Sequence, residues 1–123
     1  YYKLGNYLQA KSFYLKSLAQ ASPAEIAQLR FGLAEAQEAS LESEAAIKQY
    51  LLAAELYTLD RPMFVKSLLR AAKLYEDQDN FKEALKIYLR INQSEPLSPE
   101  SGYIQERIEW IRQNIKTDKA RNK

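Results

Sequence analysis

The chain has 123 residues, of which 46% are hydrophobic and 28% are charged, so it is long and apolar enough to form one domain with a buried core. It contains no His and no Cys, which excludes an imidazole base, a thiolate nucleophile and the usual zinc and iron–sulfur sites. Its net charge of +2 is too balanced to indicate generic nucleic-acid binding, and its apolar runs are too short to span a membrane.

Helix-favouring residues dominate the composition, and only 3 Gly and 4 Pro are present, which predicts an all-α fold. Ser22-Pro23-Ala24-Glu25 is predicted to form a capping box, in which the Ser22 side chain accepts from a backbone amide of the first turn and the Glu25 side chain reaches back to the N-cap. Pro23 suits the first helical position. In chain order, the predicted helices cover 7–20, 23–38, 43–58, 62–78, 81–93 and 99–116, with residues 1–4 as the last turn of an earlier helix. Connections of a few residues make neighbouring helices antiparallel hairpins.

The sequence repeats itself. Shifting it by 74 residues aligns 1–16 with 75–90 without a gap. The identical pairs are Tyr1/Tyr75, Asn6/Asn80, Ala10/Ala84, Tyr14/Tyr88 and Leu15/Leu89. A third copy lies between them, because Ala46 and Tyr50 repeat the same spacing. A spacing of 36 to 38 residues between the tyrosines corresponds to two helices and two turns, so the pattern indicates stacked hairpins.

This pattern resembles the tetratricopeptide repeat (TPR). Gly5-Asn6-Tyr7 and Asp79-Asn80-Phe81 resemble its turn, Gly32 and Ala72 its small first-helix residues, and Pro96 its closing proline. The second-helix signature is matched by three sets: Ala10, Tyr14 and Ser17; Ala46, Tyr50 and Ala53; Ala84, Tyr88 and Ile91. Alanines are expected where two helices cross closely, because a larger side chain would push the axes apart.

The resemblance implies an α-solenoid of about three hairpins in a single domain over 1–117. Its parts are a truncated repeat at 1–22, full repeats at 23–59 and 60–96, a capping helix at 99–116 and a basic tail at 118–123. The capping helix carries one apolar stripe, made of Tyr103, Ile104, Ile108, Ile111 and Ile115. Trp110 flanks this stripe and is interpreted as a packing residue rather than a binding anchor.

In this family the first helix of each pair lines a concave groove that usually holds extended peptides or partner helices. The predicted groove residues are Ile26, Leu29, Leu33, Arg30, Lys66, Arg70 and Lys73. In family members that grip a peptide's C-terminal carboxylate, a Lys and an Arg spaced like Lys66 and Arg70 precede the small residue of the third repeat. The resemblance therefore implies an acidic or carboxylate ligand, held by charge-assisted hydrogen bonds. The same charges are also typical of a solvated helix face balanced by Glu76 and Asp77.

The sequence thus predicts a non-catalytic scaffold that binds a protein or peptide partner. Enzyme activity, a cofactor and a small-molecule substrate are not expected, because no nucleophile–base pair or metal set can be assembled. Nucleic acid is not expected either, because the net charge is too balanced. The alternative is a structural spacer or oligomerisation module of a larger assembly, with self-association through Leu51, Leu52 and Leu56. Repeats longer than the usual 34 residues favour a bacterial periplasmic or membrane-associated protein by analogy with the family, with the cytoplasm as the alternative.

Overall fold

The computed structural model of the chain describes residues 4–57 and 59–121, with side chains for 7–22, 25–57 and 59–115. In this part of the chain all regular structure is helical, which confirms the all-α prediction. The six helices are α1 (Leu4–Gln20), α2 (Pro23–Ala39), α3 (Ser43–Leu56), α4 (Arg61–Asp77), α5 (Phe81–Ser94) and α6 (Ser101–Arg121). The bounds of α2 to α5 agree with the predicted helices to within two residues at each end.

The two outer helices are longer than predicted. α1 begins at Leu4, so the expected turn at Gly5-Asn6-Tyr7 is wrong, and residues 1–3 lie outside the described part. A glycine inside a helix costs only about 1 kcal/mol relative to alanine, which the packing of α1 on α2 can offset. α6 continues to Arg121 through residues predicted as the basic tail, because no Gly or Pro interrupts it there. Residues 122 and 123 of that tail lie outside the described residues.

The N-cap of α2 lies at the predicted residue but lacks the predicted side-chain hydrogen bond. Ser22 is the N-cap residue, with an extended backbone and Pro23 directly after it, as predicted. Its side chain makes no capping hydrogen bond, however, and the Glu25 amide donates instead to the Ser22 carbonyl oxygen at 3.0 Å. The side-chain part of the predicted capping box is therefore wrong.

The chain forms two compact units, Tyr1–Ala71 and Ala72–Lys123, and their boundary falls inside α4. In the first unit α2 packs against both α1 and α3. Its core combines alanines with larger apolar side chains and includes Phe31, Leu33, Ala34, Ala46, Ile47, Tyr50, Ala53, Ala54, Val65 and Leu68. Lys11 on α1 donates to Glu42 at 2.5 Å, and this hydrogen bond lowers the pKa of the Glu42 carboxyl.

The second unit is organised around the α5–α6 pair. Its core contains Ala84, Ile87, Tyr88 and Ile91 from α5, together with Ile104, Ile108 and Ile111 from α6. The apolar stripe predicted for α6 is confirmed at these three isoleucines, whereas Tyr103 and Trp110 remain substantially exposed. Two of the three predicted crossing alanines, Ala46 and Ala84, are fully buried in their units, whereas Ala10 is half-buried beside a small cavity.

The α2–α3 and α4–α5 turns have the same backbone conformation, 38 residues apart. Leu41 and Asp79 both lie in the left-handed region, with φ of 66° and 58°. After α2, the Leu41 amide donates to the Glu38 carbonyl and the Glu42 amide to the Gln37 carbonyl. This is the Schellman motif, which normally places glycine at the left-handed position. Leucine there is strained, because its Cβ crowds the following carbonyl oxygen.

Replacing Leu41 with glycine is therefore expected to raise the free energy of unfolding by about 1 kcal/mol. The leucine side chain is 88% exposed, so its removal sacrifices little burial. Urea denaturation followed by circular dichroism measures the change. Asp79→Gly is the matched control. It should raise the free energy of unfolding by less, because aspartate adopts the left-handed conformation more readily than leucine does. An equal or larger gain at Asp79 would contradict the strain argument.

Candidate functional site

The two predicted arginines, both in the first unit, have polar or charged partners within the protein. The Arg30 guanidinium donates to the Gln49 Oε1 of α3 at 2.9 Å. Arg70 lies 3.9 Å from a Glu35 oxygen and 3.8 Å from a Glu38 oxygen, and its Cζ is 6.0 Å from the centre of the Phe31 ring. The charge of Arg70 is therefore largely balanced by two carboxylates, and Arg30 is directed towards α3.

The two predicted lysines are more accessible. Lys66 is exposed, and its Nζ lies 5.4 Å from the centre of the Phe31 ring, within cation–π range. Lys73 belongs to the second unit, where its Nζ lies 5.5 Å from the centre of the Tyr103 ring. Both ammonium groups keep a solvent-facing side that an anion could approach.

The three predicted apolar residues of α2 differ in their burial. Leu33 is fully buried, so its assignment as a groove contact is wrong: it is a core residue. Ile26 and Leu29 are half-buried. Of these residues, Leu29 lines an open cavity and can offer apolar surface to a ligand.

That cavity is a cleft of about 550 Å³ in the first unit, called here the α1–α2 cleft. Its lining comes from α1, α2, the residue after α3 and the start of α4: Phe13, Tyr14, Glu25, Gln28, Leu29, Phe31, Gly32, Glu35, Tyr57 and Met63. Burial, aided by the charge of Asp60, raises the pKa of the Tyr57 phenol, so this hydroxyl remains a hydrogen-bond donor at the cleft. The lining combines apolar and aromatic surface with two carboxylates.

Gly32 lets α1 approach α2 at the floor of this cleft. A Cβ at this position would lie 2.8 Å from the Tyr14 hydroxyl oxygen and still closer to two of its ring carbons. Tyr14 and Gly32, together with Glu35, also line an adjoining cavity of about 160 Å³. The small residue that the sequence singled out therefore admits the Tyr14 ring, which shapes both cavities.

Each unit also contains a set of one tyrosine, one glutamate and one arginine that sequence reasoning missed, in which the tyrosine is hydrogen-bonded and the arginine ion-paired to the glutamate. In the first, the fully buried Tyr50 hydroxyl donates to Glu38 at 2.8 Å, and Arg70 lies beside the same carboxylate. In the second, the fully buried Tyr88 hydroxyl donates to Glu76 at 2.5 Å. The Arg107 Nε donates to the same carboxylate at 3.3 Å, and a second Arg107 nitrogen contacts it closely.

The two sets share their spacing. The tyrosine follows its glutamate by 12 residues in both units, and each of these residues recurs after 38 positions. Burial is the main reason that the pKa values of Tyr50 and Tyr88 are raised, and the adjacent carboxylates raise them further. The recurrence of Glu and Tyr was visible in the sequence, but only the folded chain shows that an arginine completes each set.

No protein-family model, curated protein or solved structure matches the chain. Within the described residues, no helix combines the length and the apolar character needed to cross a bilayer. Interpretation of the site therefore depends on its own geometry.

Proposed function

We propose that the protein is a non-catalytic interaction module that binds a segment of a partner protein in the α1–α2 cleft. The observation that carries this proposal is the cleft itself, an open cavity of about 550 Å³ with aromatic and aliphatic lining. Phe13 contributes to the lining and is 63% exposed, so its ring is available to a ligand. Burial of such a ring is a common source of affinity at protein interfaces.

The dimensions of the cleft suit a short peptide segment. The volume falls within the range of about 300–1,000 Å³ that is typical of ligand cavities. Its lining on α2 runs from Glu25 to Glu35, which corresponds to about 15 Å along the helix axis. Four or five extended residues, at roughly 3.3 Å each, cover that length. The partner is therefore proposed to insert a short segment rather than a whole domain.

We also propose that the hairpins are TPR-like units stacked as a solenoid. The support is the recurrence at 38-residue spacing of the left-handed turn residue and of the buried Tyr–Glu pair. In each set the arginine comes from the helix that follows the Tyr–Glu hairpin in the chain.

Peptide selection tests the binding proposal. Random 12-residue peptides displayed on phage and selected against the whole protein should yield binders. The Phe13→Ser variant should bind the resynthesised peptides about tenfold more weakly than the wild type. The reason is that burying a phenylalanine contributes about 1.5–3 kcal/mol. Fluorescence polarisation measures the dissociation constants, and circular dichroism checks that the variant remains folded.

Leu97→Ser is the matched control, because Leu97 is 96% exposed and belongs to the second unit. It should change binding by less than twofold. Failure to enrich any peptide, or equal effects of the two variants, would contradict the proposal and favour a structural spacer with nothing bound in the cleft.

A further inference from the structure

We infer that the partner segment carries a lysine or arginine two residues away from an apolar residue, so that both side chains lie on one face of the extended segment. Its cation pairs with Glu25, and the apolar side chain packs on Leu29. This inference rests on the proposed binding function and specifies the chemistry of the ligand. It differs from the sequence-based expectation of an acidic ligand, because it follows the charges that line the cleft.

Carboxylates provide the charge of the lining. Among the described residues that line the cleft, the charged ones are Glu25 and Glu35. Glu25 is exposed and forms no ion pair or side-chain hydrogen bond with another described residue. Gln28 and Leu29 follow it along the lining. No described cation is paired with the Glu25 carboxylate, so this end of the cleft presents a negative charge beside apolar surface.

Lys66 and Arg70 do not cancel this charge. Arg70 is shared between Glu35 and Glu38, and Lys66 lies over Phe31, so both cations are at the other end of the α2 lining. From Glu25 to Phe31 is about 9 Å along the helix, close to the distance at which salt screens exposed charges. The cleft thus has one acidic end and one end of mixed charge, which gives a bound segment a preferred direction.

A cation brought to Glu25 would gain more than it would at an open surface. An exposed ion pair contributes little, because water and salt screen it and both side chains lose freedom. When an adjacent apolar contact excludes water, the charge-assisted hydrogen bond strengthens. The expected preference for lysine over glutamate at this position is about tenfold.

The test uses two synthetic 12-residue peptide libraries that are identical except for two fixed central positions, which are two residues apart so that their side chains share a face. These positions hold Leu and Lys in the Leu-Lys library, and Leu and Glu in the Leu-Glu library. Binding to the whole protein is measured by fluorescence polarisation at low salt and again at about 0.5 M salt. The Leu-Lys library should bind about tenfold more tightly, and high salt should reduce the difference. Glu25→Lys should reverse the preference.

Glu44→Lys is the matched control, because Glu44 is also an exposed glutamate in the first turn of a helix but does not line the cleft. It should leave the preference unchanged. The inference is overturned, while the proposed function stands, if both libraries bind the wild type equally well and both bind the Phe13→Ser variant more weakly. If neither library binds, both are overturned, and a preference for Leu-Glu that survives Glu25→Lys also overturns the inference.

Discussion

Replacing Glu76 with alanine is expected to lower the free energy of unfolding by about 2–3 kcal/mol. The Glu76 side chain is only 12% exposed and accepts hydrogen bonds from the Tyr88 hydroxyl and the Arg107 guanidinium. Its removal leaves a fully buried hydroxyl and a guanidinium with 26% side-chain exposure without their shared acceptor. An orphaned buried donor costs about 1–3 kcal/mol, and more when it is charged. Urea denaturation measures the loss.

Two further variants separate the contributions to this effect. Glu76→Gln keeps an acceptor for Tyr88 but removes the charge opposite Arg107, so about half of the loss should remain. Glu83→Ala is the surface control: its ion pair with Lys86 joins two exposed side chains at 3.0 Å. That change should stay within about 0.5 kcal/mol. The stabilising role assigned to the Tyr88–Glu76–Arg107 set is wrong if Glu76→Ala costs no more than Glu83→Ala.

The helices were predictable because their signals are local. Pro23 fixes the start of α2, and the apolar spacing of Ile104, Ile108 and Ile111 identifies the buried face of α6. The need for a small residue at Gly32 was also visible as a pattern, although the sequence did not show that the Tyr14 ring occupies the space. Local sequence signals therefore predict the bounds of the helices and their buried faces, but not which side chains of different helices contact each other.

The charges of the site were harder to predict because their effect depends on distances between helices. The spacing of Arg70 from Lys66 led to its prediction as a ligand-binding residue. Its position within 4 Å of Glu35 and Glu38 depends on the fold and could not be read from the sequence. Leu33 was misassigned for a related reason. α2 is apolar around much of its circumference, with Phe31, Leu33 and Ala34 all buried, so its sequence does not distinguish a core face from a groove face.

The last prediction concerns alkaline pH, to which the two buried tyrosines make the protein sensitive. The pKa values of Tyr50 and Tyr88 are raised in the folded state, mainly by burial. In the unfolded chain a tyrosine titrates near pH 10. Stability is therefore full below about pH 10 and falls as the pH rises further, because hydroxide removes protons from the unfolded chain first. At about pH 11 the ionisation of each tyrosine in the unfolded chain should have lowered the free energy of unfolding by about 1.4 kcal/mol, and that of the pair by about 3 kcal/mol.

The Tyr50→Phe/Tyr88→Phe double variant isolates this effect. It lacks both hydroxyls that donate to Glu38 and Glu76, so at neutral pH it should be less stable than the wild type by about 1 kcal/mol per lost hydrogen bond. Between about pH 10 and 11 its free energy of unfolding should fall less steeply, so the two stability curves approach and then cross. Lysines titrate in the same range in both proteins and cancel in the comparison. Parallel curves would mean that the two hydroxyls ionise as easily in the folded protein as in the unfolded chain, which contradicts their burial beside carboxylates.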